Sequence, residues 1–393
     1  MILAVFLLTA NKIGASAQNI DNITRYDSVE ISLLTCSPHD EIYSLYGHTA
    51  IRYQDHSSGA DYAINYGVFS FHKPYFVLRF VFGLTDYEMG VQYFDDFCRE
   101  YIYYGASVTQ QTLNLTDNEK KKITDALLKN YLPENRIYRY NFFYNNCTSK
   151  ARDIIADNID GKIVYRNKLD KSVSFRDFIH SCTKENRWSE FGNDILLGVN
   201  ADRNTTRKDQ QFLPENLMKD FSNAVIVDKA GKQRKLVKET KDVVDKVTCV
   251  NTASSIPSPT SCACILLGIT VLVSALGWAT KKRLIIFDAI MLCAVGLTGL
   301  LLFVMIFSQH PATSINLQIL LLNPLALFML YYIIRNRKDT RRLTKAWTAA
   351  IIFICASIIC GFIQHYAEGV AILALSLLIR FSNNIIYVKK NEK

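Results

Sequence analysis

Residues 140–155 read Y-N-F-F-Y-N-N-C-T-S-K-A-R-D-I-I, from Tyr140 to Ile155. An aromatic, strand-like run ends at Asn145-Asn146, Cys147 follows, and from there the pattern is that of a helix. The thiol therefore falls on the first turn of a helix, where unpaired backbone N–H groups and the helix dipole favour an anion. Such a setting lowers a thiol pKa and enlarges the thiolate fraction that a nucleophile requires. Asn146 or Thr148 is placed to cap this helix, and Arg152 and Asp153 lie on its next turn. The bland alternative is a buried structural cysteine at a helix start.

Around this segment the chain divides into two halves. Its 393 residues are 49% hydrophobic and carry a formal net charge of +9. Up to about Val250 the sequence is mixed, aromatic-rich and charged, as in a globular domain. Beyond Cys262 it consists of long apolar runs broken by short basic clusters. Bilayer-length spans are expected at Cys262–Thr280, Leu284–Phe307, Ile315–Ile334, Ala346–Tyr366 and Val370–Tyr387. The last is the weakest, because Arg380 and two asparagines interrupt it. Basic clusters follow the first and third spans and end the chain, whereas Ser308–Ser314 and Ala367–Gly369 carry no Lys or Arg. The positive-inside rule then places the C-terminus in the cytoplasm and the first half on the outer face. The net charge is partly a topology signal and gives no ground for nucleic-acid binding.

The N-terminus gives an independent sign of export. Residues 1–17 have the apolar core and A-S-A site of a signal peptide, although no basic residue precedes the core, which points to an upstream start. An uncleaved anchor is the alternative. The expected layout is thus a signal peptide at 1–17, an exported domain at 18–250, a Ser/Pro-rich linker at 251–261 and a membrane domain at 262–393. Of ten cysteines, the exported half holds Cys36, Cys98, Cys147, Cys182 and Cys249, an odd number that leaves room for one free thiol.

A cysteine nucleophile needs a base, and the base needs an orienting partner. In Y-S-L-Y-G-H-T-A-I-R-Y (Tyr43–Tyr53), His48 follows Gly47 at an expected strand start. The next expected strand, Asp61–Val68, would pair with it as a hairpin and bring Asn65 beside His48. His72 is the alternative partner. Pro74–Gly90, dense in Phe, Tyr, Val and Leu, reads by default as core. The alternative is an apolar surface facing a membrane or lipid chain. Asn193–Arg203 and Phe212–Pro214 read as loops without recognisable chemistry, and Asp228–Lys246 as a solvated lysine-rich stretch. No His/Cys/Asp cluster has metal-ligand spacing, and no cofactor is expected.

The ordered set G-H-T-A-I-R (Gly47–Arg52), N-Y-G (Asn65–Gly67) and N-N-C-T-x-x-x-R-D (Asn145–Asp153) resembles a circularly permuted papain-like fold. There the histidine strand precedes the cysteine helix, as in lecithin:retinol acyltransferase-like and some NlpC/P60-like proteins. Together with L-L-T-C-S-P (Leu33–Pro38), F-L-P (Phe212–Pro214) and S-Q-H-P-A-T-S-I-N (Ser308–Asn316), the whole chain resembles the family of the Lnb N-terminal periplasmic domain, the lipoprotein N-acyltransferases. One departure is His39, where that pattern has glycine. The resemblance implies an α+β permuted papain-like cysteine domain followed by an all-α membrane domain of five helices. It implies acyl transfer through a Cys147 thioester, with His48 as base and Asn65 as its partner. Asn145, Asn146 and Arg152 would support the oxyanion, and His310 and Asn316 would contact lipid or substrate. The acceptor would be a diacylated lipoprotein, and the acyl donor a phospholipid or the lipoprotein itself. The rivals are a membrane-anchored cysteine hydrolase acting on cell-wall peptides and a non-enzymatic membrane receptor.

Overall fold

The computed structural model describes residues 26–39, 41, 44–69, 74–247, 256–282, 284–336 and 339–390. The expected signal peptide, His72, Cys249 and residues 251–255 of the linker lie outside the described residues. The N-terminal unit is an α+β domain, and five apolar helices follow it.

Strands β1 (Val29–Cys36), β2 (His48–Asp55), β3 (Ala60–Val68), β4 (Asp86–Tyr93), β5 (Val108–Leu113), β6 (Ile137–Arg139) and β10 (Val237–Val244) form one antiparallel sheet, in the order β10-β5-β1-β2-β3-β4-β6. Three short strands, β7 (Lys162–Val164), β8 (Val225–Val227) and β9 (Gln233–Lys235), form a second sheet. The helices of this unit are α1 (Phe76–Val81), α2 (Phe94–Tyr103), α3 (Asp117–Tyr131), α4 (Cys147–Asp157), α5 (Phe175–Thr183), α6 (Arg187–Leu196), α7 (Arg207–Gln210) and α8 (Pro214–Ser222).

Both faces of the main sheet are covered, which is why β1 is buried nearly throughout. Ile31 and Leu33 pack with Ile154 and Ile155 of α4 and Leu217 of α8, while Leu34 and Cys36 pack with Phe97 and Tyr101 of α2. In the G-H-T-A-I-R run, the buried Arg52 is held by Asp61 at 2.8 Å and Gln110 at 2.7 Å, and lies 3.5 Å from the centre of the Phe94 ring. It ties β2 to β3 and β5, an arrangement that leaves no buried cation unpaired.

Several expectations are corrected. Pro74–Gly90 is not uniformly core: α1 exposes Tyr75, Val77, Leu78 and Phe80. The lysine-rich stretch includes β10, an edge strand whose Lys and Glu side chains face solvent while its backbone pairs with β5. Asn193–Arg203 is the end of α6 and a 3₁₀ turn, and it has a structural task described below.

The apolar helices are α9 (Pro259–Thr280), α10 (Ile285–Met305), α11 (Leu325–Arg335), α12 (Thr340–Cys360) and α13 (Val370–Lys390). The third span is broken: a 3₁₀ turn at Leu317–Leu320 precedes α11. Pro324 offers no N–H, and Gly299 of α10 lets the Leu322–Pro324 backbone approach so closely that a β-carbon there would fall 2.4 Å from Leu322 O. The fourth span ends at Cys360, leaving Gln364–Tyr366 in a loop. The last span has the lowest mean hydropathy of the five, 1.6, as expected, and the Arg380 that interrupts it is paired with Asp288 of α10 at 2.5 Å, while Asn384 binds the same carboxylate at 3.1 Å.

The two halves are joined by buried polar contacts. Gly198 N–H donates to Ala312 O at 2.7 Å and Val199 N–H to Ile315 O at 2.8 Å. Asn316 donates to Ile195 O at 2.7 Å, Gln318 to Asp194 O at 2.7 Å, and Gln364 to Leu197 O at 3.1 Å. The loops after α10 and α12 thus lie on the side of the bundle that carries the α+β domain.

Candidate active site

Local sequence places each member of the site. Gly47, at φ 72°, turns the chain into β2 so tightly that a β-carbon would sit 2.7 Å from Cys36 O. His48 is therefore the first residue of β2, at the sheet end nearest the start of α4. Asn146 caps α4: its Oδ1 accepts from Ser149 N–H at 2.9 Å, and Ser149 Oγ accepts from Asn146 N–H at 2.8 Å. Thr49 and Thr148 share a buried hydroxyl hydrogen bond of 3.1 Å, which fixes the strand start to the helix start.

His48, Asn65 and Cys147 meet there, half-buried. Asn65 Oδ1 accepts from His48 Nε2–H at 3.0 Å, which leaves Nδ1 as the ring nitrogen available to the neighbouring Cys147 thiol. The antiparallel register Ala50↔Asn65 produces this meeting across the hairpin. Gly67, at φ 93°, leaves the space beside the thiol open: a β-carbon there would be 3.9 Å from Cys147 Cβ.

Burial pushes the Cys147 thiol up, but the charge of His48, its hydrogen bond, the Thr49 N–H and the Thr148 hydroxyl outweigh it and bring the thiol down to about 7. Burial lowers the His48 pKa, and the thiolate and Asn65 more than restore it. The pair stabilises a thiolate–imidazolium state as a unit. Cys36, Cys98 and Cys182 are free thiols whose pKa values are all raised, chiefly by burial. No disulfide occurs among the described cysteines, and among the exported ones described Cys147 alone is lowered.

The other residues selected from sequence lie elsewhere or are otherwise engaged. Asn146 gives its amide N–H to Phe212 O at 2.8 Å, and Asn145 gives its own to Arg139 O at 2.7 Å. Each side chain thereby engages one of its two amide hydrogens in holding the turn before α4. Arg152 donates to Lys208 O at 2.9 Å, tying α4 to α7. His310 Nε2 contacts Phe80 O at 2.9 Å, and Asn316 is buried between α6, Gln318 and Gln364. Neither stands at the thiol. Sequence reasoning missed Thr49 and Tyr46, and offered Thr148 only as an alternative cap, a place that Asn146 takes. Tyr46 accepts from Asn193 of α6 at 2.7 Å and packs its ring against Phe142, so the turn before His48 rests on the same helix that meets the membrane helices. The expected turn histidine, His39, stacks on Tyr104 at 4.2 Å.

One further cluster forms only on folding. His180, Glu190 and Asp194 bring their ligand atoms within 4.8 Å of one another. Arg176 already pairs with Asp194 at 2.6 Å and with Asp202 at 2.5 Å, so the cation of this buried network is a guanidinium. The His180 pKa is raised by its hydrogen bond to Asp194.

A family model described as the Lnb N-terminal periplasmic domain matches residues 16–181, and one described as the Lnb transmembrane domain matches residues 251–392. No curated protein and no solved structure matches the chain.

Proposed function

Because the chain belongs to the Lnb family, whose members join a periplasmic domain to a membrane domain, we propose that it is a cysteine-dependent acyltransferase that N-acylates the N-terminal cysteine of bacterial lipoproteins. The observation that carries this reading is the lowered thiol of Cys147, in contact with a His48 held by Asn65, on a domain fixed to membrane helices. The thiolate attacks an ester carbonyl of a lipid. The N–H groups of Cys147 and Thr148, on the first turn of α4 before the capped Ser149, receive the oxyanion. The C–O bond breaks, the leaving alkoxide takes the proton of the His48 imidazolium, and a thioester remains. The α-amino group of the acceptor then attacks the thioester. Neutral His48 takes a proton from the amine, the C–S bond breaks, and the thiolate is restored.

The acyl donor is a phospholipid or the diacylglyceryl group of the lipoprotein, and both sit in the bilayer that this chain occupies. The proposed setting is the bacterial inner membrane, with the catalytic domain in the periplasm and the C-terminus in the cytoplasm. The test is the intact mass of a diacylated lipoprotein peptide incubated in membrane vesicles with wild-type protein or Cys147→Ala. A gain of one acyl chain on the N-terminus, absent with the variant, is the expected result. Labelled phospholipid then identifies the donor. An unchanged peptide in both samples would transfer the reading to a hydrolase, with water resolving the thioester.

A further inference from the structure

Helix α1 is the most exposed apolar element of the α+β domain. Tyr75, Val77, Leu78 and Phe80 are 80, 74, 56 and 46% exposed. Its charged residue, Arg79, is also exposed but is bonded to Leu84 O at 3.1 Å and paired with Asp86 at 2.8 Å, so the helix presents no unpaired charge. An apolar face of this kind on a water-facing domain marks a contact with a partner or a membrane.

Its neighbours identify which. The backbone at the end of α1 is bonded to the loop that follows α10: Gln309 N–H donates to Phe82 O at 2.9 Å, and His310 Nε2 reaches Phe80 O at 2.9 Å. Gly83, at φ 66°, admits that loop so closely that a β-carbon would lie 3.1 Å from His310 N. Helix α10 has 21 residues, which at about 1.5 Å per residue roughly matches the hydrocarbon core. The loop after it therefore lies at the membrane–water boundary. Ile306 and Phe307, at the end of α10, are themselves exposed and continue the apolar surface of the span toward α1.

From α1 a line of rings leads inward. Phe76 stacks on Phe69 at 5.8 Å, Phe69 meets Tyr87 at 4.9 Å, and Tyr87 stacks on Tyr140 at 4.1 Å. Gly67 stands between Tyr140 and Cys147, its built β-carbon 4.0 Å from the one and 3.9 Å from the other.

We infer that α1 is seated among the acyl chains of the adjacent leaflet, and that the ring line from Phe76 to Tyr140 is the wall along which a lipid acyl ester leaves the bilayer for Cys147. The occupant of the exposed face is the lipid bilayer. A short helix with four exposed apolar or aromatic side chains, its one cation paired, and a Tyr at its margin suits interfacial immersion. The seat in the bilayer stands on geometry alone, whereas the track to the thiol rests on the acyl-transfer reading.

The test uses the full chain in vesicles of phosphatidylethanolamine and phosphatidylglycerol. A p-benzoylphenylalanine placed at Leu78 and irradiated is expected to give a protein–lipid adduct by intact mass. The same group at Tyr93, at the end of β4 about 23 Å along the strand from Asp86 at about 3.3 Å per residue, is expected to give none. No adduct at position 78, or equal yields at both positions, overturns the bilayer seat whatever the enzyme does. In a second arm, Val77→Glu with Leu78→Glu is expected to lower kcat/KM for a membrane-borne substrate by about tenfold, mainly through KM. Alkylation of Cys147 by iodoacetamide is expected to continue at the wild-type rate, which shows an intact site. Unchanged kcat/KM overturns the track. Slowed alkylation would show instead that α1 supports the fold of the site, and would also overturn it.

Discussion

Cys147 sits where two opposing effects nearly balance. Burial alone would hold its proton, and the imidazole of His48, with the Thr49 N–H and the Thr148 hydroxyl in support, tips the balance. A thiol brought down to about 7 is substantially ionised at neutral pH. Alkylation of Cys147 by iodoacetamide should therefore rise with pH around a midpoint near 7, read as the rate of a single mass adduct. In His48→Ala the opposing charge is gone and burial remains, so the midpoint should move up, past the ordinary thiol range. A midpoint that stays in place would remove His48 from the pair. Asn65→Ala frees the ring to rotate, and it should lower kcat more than it slows alkylation, since the thiol keeps its imidazole neighbour. Asn146 contributes to stability at the same spot. Asn146→Ala removes the cap of α4 and the partner of Phe212 O, and should cost roughly 2 kcal/mol or more of stability, measured by thermal unfolding in detergent.

At the scale of elements, the reading from sequence succeeded where periodicity and turn chemistry act locally. The β2–β3 hairpin and the capped start of α4 both follow from nearest neighbours along the chain. It failed where tertiary context decides. The amide groups of Asn145 and Asn146 reach Arg139 and Phe212, contacts with no signature in the local sequence. The third span looks continuous by hydropathy, and the break at Asn323-Pro324 becomes legible only beside Gly299. His180, Glu190 and Asp194 come together through the packing of α5 on α6, which no spacing rule contains. Gly47 is the clearest local determinant of the site. Gly47→Ala should disturb it, because φ 72° is unfavourable for alanine by about 1 kcal/mol and the new methyl would meet Cys36 O. The expected outcome is a slower alkylation of Cys147 together with reduced thermal stability, and neither change would mean that the turn tolerates a side chain.

Across the whole molecule, the α+β domain is clamped to the membrane helices by backbone and amide hydrogen bonds that no solvent-exposed tether would provide. Gly198 is central to the clamp: a β-carbon there would lie 2.0 Å from Ile315 O. Gly198→Ala should force the two surfaces apart. Amide hydrogen exchange at Gly198 and Val199, which donate to the loop after α10, should then accelerate, while Cys147 keeps its reactivity toward a small alkylating agent. Unchanged exchange would mean that the clamp adjusts to the methyl. Tyr46 carries this clamp to the site, since its hydroxyl is held by Asn193 of α6 and it lies two residues before His48.

The same clamp sets how the protein meets anything dissolved in the bilayer. Because the domain is not free to swing on a leash, Cys147 is held at one height over one patch of leaflet. Encounters then occur in two dimensions, and their frequency is governed by the mole fraction of substrate in the surface. Adding inert lipid at constant bulk substrate would slow turnover, as in surface dilution, and adding buffer would not.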